Sequence, residues 1–418
     1  MRVCPAGLGL LLLAAPLAAQ TSRPPAPVPD LRAVSAMVEK GELAPAEERL
    51  RRILARGGGS AAHDLLGVVL VEQKRLEEAE HEFRQALAAN PGSLGAHQHL
   101  ARLYLSQDRG AEAAAELRAA ARLGPLERDL GLELARIERA SGHPLRAEQQ
   151  LRSVADRFGS VRALLDLAQL QSERGNAVGA LECLRRARAI APSSEEVLRA
   201  SAEASLASGA PLAALRHLEA LVRMCPTVGR YRYLQGTALL KAGDAAAAIE
   251  PLKEAERLDP GHAPTLTALG RALNSRQLYG EAKVRLLRGL SLVSDDASAL
   301  AALAEAEEGL GEVGDAEAHA QRALARPDAP PLASLVLGMV RAKQERYPEA
   351  RDALLAASAA DPASAKAHYQ LSLVYARLND PAKAQEHLEQ YRLRTKEAER
   401  RVSEVRAVTG FSLGGMQP

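Results

Sequence analysis

The sequence predicts an all-α chain built as a linear array of short helix pairs. Three observations carry that prediction. The stretch Tyr233–Pro260, YLQGTALLKAGDAAAAIEPLKEAERLDP, reads as helix, break, helix. Ala, Leu and Tyr recur at three- and four-residue spacing up to Lys241, and Gly243-Asp244 interrupts them. A second stripe through Ala248, Leu252, Ala255 and Leu258 is stopped by Pro260. The phrase then recurs in steps of 34 residues, twice shortened to 33. Ala46, Ala79, Ala113, Ala147, Ala180, Ala214, Ala248, Ala282, Ala316, Ala350 and Ala384 all fall on that step. Finally, Trp is absent and aromatics are 3 %. That is poor for a globular core, but Ala, Leu and Gly in quantity suit closely stacked helices.

A chain of 418 residues would ordinarily hold two or three globular domains. Repetition overrides that prior, because a unit that contacts mainly its neighbours extends as one solenoid without a central core. The formal net charge of +2 leaves no electrostatic footprint for nucleic acid. Only nine of the 54 basic residues are Lys, the bias of a GC-rich bacterial genome.

Taken in order, Met1–Ala19 offers Arg2, an apolar run Leu8–Ala15 and then small residues. It resembles a secretory signal peptide, with cleavage expected after Ala18 or Ala19. The run is too short for a membrane span, so no stable span is expected after cleavage. Residues 20–29, QTSRPPAPVP, form a Pro-rich spacer. The repeats then phase as 27–59, 60–93, 94–127, 128–160, 161–194, 195–228, 229–262, 263–296, 297–330, 331–364 and 365–398.

Each repeat justifies its two helices and its turn. The eighth position is small, from Gly67 and Ala101 to Gly236, Gly270, Gly338 and Ser372; only Val34 is large. The turn carries Gly41, Gly142, Gly175, Gly209, Gly243 and Gly311, where a positive φ is cheapest. The second helix centres on a large apolar residue such as Phe83, Leu252 or Leu286; Ala320 is the exception, so the ninth repeat is expected to pack more loosely. Pro91, Pro125, Pro192, Pro226, Pro260 and Pro362 end second helices. After Pro381 the last second helix runs on into a capping helix, 399–409, along a stripe of Leu388, Tyr391, Ala398, Val402 and Val405; residues 410–418 form a tail.

A 34-residue helix–turn–helix period is the signature of one family. From Pro27 to about Glu397 the chain resembles the tetratricopeptide repeat proteins. The resemblance implies a right-handed superhelical solenoid of about eleven repeats with a C-terminal capping helix.

Catalytic constellations are weak. Gly410-Phe-Ser412-Leu-Gly414 matches G-x-S-x-G, but a helix precedes it and four residues follow, so a nucleophile elbow does not fit. No H-E-x-x-H and no P-loop motif occurs. His63, His97 and His368 share the fourth repeat position on the packing side and read as satisfied structural groups rather than metal ligands. Cys183 and Cys225 read as separate small fillers, their helical offset being too long for a bridge. No enzyme activity, cofactor or metal is expected.

The family resemblance implies that first helices line a concave groove. Its positions carry Arg102, Arg136, Arg199, Arg230, Tyr233 and Arg271 as ligand candidates, interleaved with Glu173, Glu196, Glu203, Glu305 and Glu308. Within them Arg230–Tyr233, RYRY, sets two guanidinium groups beside two phenol rings, a grip for an extended acidic peptide. The carboxylate clamp and the Asn ladder of two relatives are missing from those positions. The expected function is a non-enzymatic scaffold, exported to a bacterial periplasm or secreted, binding a partner protein or extended peptide in envelope assembly, secretion or export. The alternative is an accessory subunit docking an enzyme such as a polysaccharide synthase or a protease.

Overall fold

The computed structural model of the protein describes residues 29–409, which form 22 helices and no strand. The expected leader (1–19), most of the Pro-rich spacer and the tail (410–418) lie outside the described residues. Contacts divide the chain into two compact units, Met1–Gln150 and Leu151–Pro418.

The first unit contains α1 (Pro29–Glu39), α2 (Leu43–Leu54), α3 (Gly59–Glu72), α4 (Leu76–Ala89), α5 (Leu94–Ser106), α6 (Gly110–Leu123) and α7 (Arg128–Ala140). The division falls inside α8 (Pro144–Phe158). The second unit begins with α9 (Val161–Glu173), α10 (Ala177–Ile190), α11 (Glu195–Ala207), α12 (Pro211–Met224), α13 (Gly229–Lys241) and α14 (Ala245–Leu258). It continues with α15 (Ala263–Ser275), α16 (Tyr279–Leu292), α17 (Ala297–Leu310), α18 (Val313–Leu324), α19 (Pro331–Lys343) and α20 (Tyr347–Ala360). It closes with α21 (Ala365–Arg377) and α22 (Pro381–Thr409). Odd-numbered helices are first helices and even-numbered ones second helices. A first helix packs on its own second helix and on the preceding one, as α3 does on α4 and α2. This is the all-α solenoid of helix pairs that the period implies.

The turn inside each pair is one structure repeated eleven times among the described residues. A residue with positive φ follows the first helix, and the next backbone N–H donates five residues back. Thus Asp244 N donates to Leu239 O at 3.0 Å, and Arg75 N to Leu70 O at 2.9 Å. This bond satisfies a carbonyl that the helix end leaves orphaned. Glycine supplies the positive φ in six turns, as expected. The other five use Lys74, Asp108, Gln277, Glu345 and Asn379, with φ between 56° and 63°.

Packing follows from the small and large positions. A Cβ added to Gly270 would lie 2.5 Å from Leu286 Cγ, and one added to Gly67 would lie 2.5 Å from the Phe83 ring. The helices therefore cross at glycine because the facing side chain occupies the space of a methyl group. Val34, the large exception, is fully buried in the first core cluster. Ala320 is also fully buried, with Ala304, Ala316, Val336 and Val340 around it, so the ninth repeat is not loose. The next first helix, α19, fills the place that a Leu would have taken.

Charge pairs also recur at fixed repeat positions. Arg75, at position 16, reaches Glu78 on its own helix (2.5 Å) and Glu47, at position 21 of the preceding repeat (2.9 Å). Arg109 does the same with Glu112 and Glu80, and Arg346 with Glu349 and Glu317. Lys283 and Glu312 make the inter-repeat pair with the signs exchanged.

Helix α22 departs from the pattern. Its first half lies on α21, with Tyr391 against Tyr369 (ring centroids 5.1 Å) and His387 stacked on Tyr375 (5.4 Å). Its far end reaches α12 and the turn between α13 and α14. There Val405 is buried and Arg406 Nε donates to Asp244 Oδ2 at 2.9 Å.

Candidate functional site

The candidate groove residues fall in both units and do not form one cluster. Arg102 on α5 pairs with Glu127, and Arg136 on α7 with Glu133 at 2.8 Å; both belong to the first unit. In the second unit Arg199 and Arg230 share one carboxylate, Glu203, at 3.2 and 2.9 Å. Arg162 likewise holds Asp166 (3.1 Å) and approaches Glu196 (3.5 Å). A cavity of about 440 Å³ lined by Arg162, Glu196, Arg199 and Glu203 thus has its charges matched internally.

The RYRY stretch does not form one grip. Helical geometry turns consecutive residues by about 100°, so four neighbours cannot share a face. Tyr231 points into the core, 3 % exposed, and its hydroxyl donates to Glu195. Burial, together with that hydrogen bond, pushes its pKa up to about 12. Arg232 is half-buried and donates to Gln235 at 3.4 Å. Only Arg230 and Tyr233 remain for a ligand.

Tyr233 leads into the more promising region. Its ring meets His262 edge-on at 4.8 Å and lines a cavity of about 310 Å³ with Lys241, Thr267, Arg271 and Asp296. Arg271 also lines an adjoining cavity of about 360 Å³, bounded by Leu240, Gly243, Glu305, Leu335 and Lys366. Among the described residues the Arg271 side chain makes no hydrogen bond or ion pair, unlike every other candidate arginine. Lys241, beside it, donates to the Leu206 carbonyl at 3.3 Å.

The far wall of that cavity was missed from sequence. Lys366, on α21, crosses to Glu305 on α17 at 2.8 Å. Burial disfavours its charge, but Glu305 and Glu308 outweigh burial and hold the amine above its ordinary range. Asn274 donates to the Ala302 carbonyl at 2.7 Å and approaches Glu305 at 3.3 Å. These contacts are possible because α17 is rich in alanine, so α15 and α19 both pack against it. Lys366 sits at the second repeat position, a groove position by the phasing, and that is the signal that could have found it.

The histidines aligned at the fourth repeat position have partners of their own. His63 and His97 bond Glu82 (2.6 Å) and Glu116 (2.5 Å), and His368 bonds His387 (3.1 Å). Among the described residues Cys183 and Cys225 form no disulfide. Glu307, Glu312 and Asp315 cluster like metal ligands, but Lys283 lies 3.7 Å from Glu307 and pairs with Glu312, while His319 bonds Glu307 at 2.7 Å. The cluster already holds one cation, the Lys283 amine. No described helix is long and apolar enough to cross a membrane.

Comparisons with known proteins agree with this architecture. No curated protein matches the sequence. Among solved structures, a tetratricopeptide repeat protein from Parabacteroides merdae ATCC 43184 is 15 % identical, with a TM-score of 0.49, over 59 % of this chain and 98 % of its own. The hetero-tetramer of the APC/C, Cut9–Hcn1, is 16 % identical with a TM-score of 0.41, over 89 % and 88 %. Naa15/Naa10 bound to HypK-THB is 18 % identical with a TM-score of 0.47, over 92 % and 68 %. At such identities and scores these likenesses carry no argument about function. Two family models described as tetratricopeptide repeat match more directly. One covers residues 70–137; the other covers 31–93, 132–195, 199–263 and 335–398, more than half of the chain. The chain belongs to the tetratricopeptide repeat family.

Proposed function

We propose that this chain is a non-enzymatic scaffold that binds a partner protein or extended peptide along the first helices α13–α21. Arg271 anchors an acidic group of the partner, and Tyr233 supplies an aromatic surface beside it. The observation that supports this reading is the unpaired Arg271 guanidinium between two cavities. Where the other candidate arginines already hold carboxylates, the unpaired one is the group a partner's carboxylate gains most from meeting. Family members are generally scaffolds rather than catalysts. The leader-like Met1–Ala19 favours export, and with it a role in envelope assembly, secretion or export.

Affinity capture by residues 20–418 from the source cell's envelope fraction, read by mass spectrometry, tests the proposal. R271E should lose the partners that wild type captures while its thermal unfolding is unchanged. Equal capture by R271E overturns the anchor. One partner in fixed ratio would instead favour an accessory subunit docked on an enzyme.

A further inference from the structure

We propose that the end of α22 is a latch, docked by Val405 and Arg406 on the α13–α14 turn, that closes one side of the groove. The gating role rests on the groove reading above; the latch itself does not.

Four features make this contact specific rather than incidental. First, the docked end is local. Residues 398–401 are exposed, whereas Val402 is half-buried, Val405 is 2 % exposed and Arg406 is half-buried. The helix therefore leaves α21, runs without cover, and is held again over about one turn. Second, that turn is complementary to its seat. Val405 joins the core cluster of α11 to α17, and Val402 comes so close that a Cβ on Gly243 would lie 3.5 Å from it.

Third, Arg406 replaces a missing partner. In four other repeats the charged residue at position 16 pairs with an opposite charge at position 21 of the preceding repeat: Arg75, Arg109 and Arg346 with Glu, Glu312 with Lys. Asp244 also holds position 16, but position 21 before it is Leu215, which is buried. Asp244 is 3 % exposed, and an ion buried to that degree without a partner is costly. Arg406 brings the charge from 162 residues away. Fourth, the seat borders the groove. Gly243 and Ala245, on either side of Asp244, line the cavity whose far wall is Lys366 on α21, against which α22 begins. Val402 lies against Gly243 of that wall, so release of one turn would unpack the wall from behind while leaving residues 365–398 of the last repeat in place.

The test uses the full chain with Cys4, Cys183 and Cys225 replaced by Ala. Spin labels at Glu404→Cys and Glu250→Cys, both exposed, report docking. Wild type should give one narrow, short distance. V405D and R406E should each shift it longer and broaden it, and R406K should keep it. Because the chain has no Trp, Ser275→Trp places a single indole on the cavity wall. Its quenching by acrylamide should rise in V405D and R406E, while that of a Glu72→Trp on α3 of the first unit should not. A broad distance in wild type, or a narrow one in both variants, overturns the latch. Opened labels with unchanged quenching at residue 275 overturn the gating. Neither readout depends on R271E, so the latch and the anchor fail separately.

Discussion

Five of the eleven turns place a residue with a side chain where the backbone is left-handed, and this gives a direct handle on stability. Lys74, Gln277 and Glu345 have φ of 63°, 61° and 61°, and all three are exposed. An L-residue in this conformation costs roughly 1–2 kcal/mol from its Cβ against the following carbonyl. Glycine avoids that cost but gives up about 0.5–1 kcal/mol more chain entropy on folding. Each Gly substitution should therefore stabilise its turn by about 0.5–1 kcal/mol. The sites lie in three different, non-adjacent repeats with no shared partner, so the triple variant should gain roughly 1.5–3 kcal/mol. Asp108 and Asn379 should gain less, because short polar side chains tolerate this region better. The reverse change, Gly175→Gln, meets no neighbour within 4 Å, so its expected loss isolates the backbone term. Arrays need not unfold in one step, so hydrogen exchange at the helix ends flanking each turn is the assay, with urea unfolding beside it. Neutral or destabilised glycine variants, with Gly175→Gln harmless, would refute the reasoning.

Gly270→Ala should be destabilising although alanine is the better helix former. Its Cβ would lie 2.5 and 2.7 Å from Leu286 Cγ and Cδ2, an overpacking of about 1–3 kcal/mol against a propensity gain of about 1 kcal/mol. A lower urea midpoint checks it. The latch should also weaken in acid. Burial raises the Asp244 carboxyl, but Arg406 and the Ala247 N–H outweigh burial and hold it below its ordinary value of 3.8. A depressed carboxyl stabilises above the unfolded value and loses that contribution as pH falls through the folded one. The distance between labels at 404 and 250 should thus lengthen below about pH 4, and Asp244→Asn should remove the dependence.

Much of this architecture is legible in the sequence because it is local. Ala248, Gly243 and Pro260 each mark a feature within one repeat, and the 34-residue step places the same feature ten more times. The non-glycine turns are harder. Lys74, Gln277 and Glu345 carry no turn signal of their own, and only the phase locates them. The pairing of position 16 with position 21 joins adjacent repeats and emerges once both are aligned. RYRY misled because adjacency in sequence is not adjacency on a helix, and Tyr231 was needed by the core. Arg406 and Asp244 lie beyond any local rule. The one hint is a buried-side Asp244 facing Leu215 where other repeats offer a charge.

The span of α22 also bears on how the chain reaches its native state. Nearest-neighbour arrays can nucleate at any repeat and propagate outward, which keeps their contacts short-range and their folding fast. The seating of Arg406 on Asp244 closes a loop of 162 residues, and it cannot occur until α22 has left the ribosome. Closure is then the final step, and afterwards the repeats between α13 and α22 are no longer independent. Fraying at α21 must either drag on α14 or first release one turn of helix. The array thereby acquires a cooperative block at its C-terminal end, in a molecule otherwise free to open from either terminus.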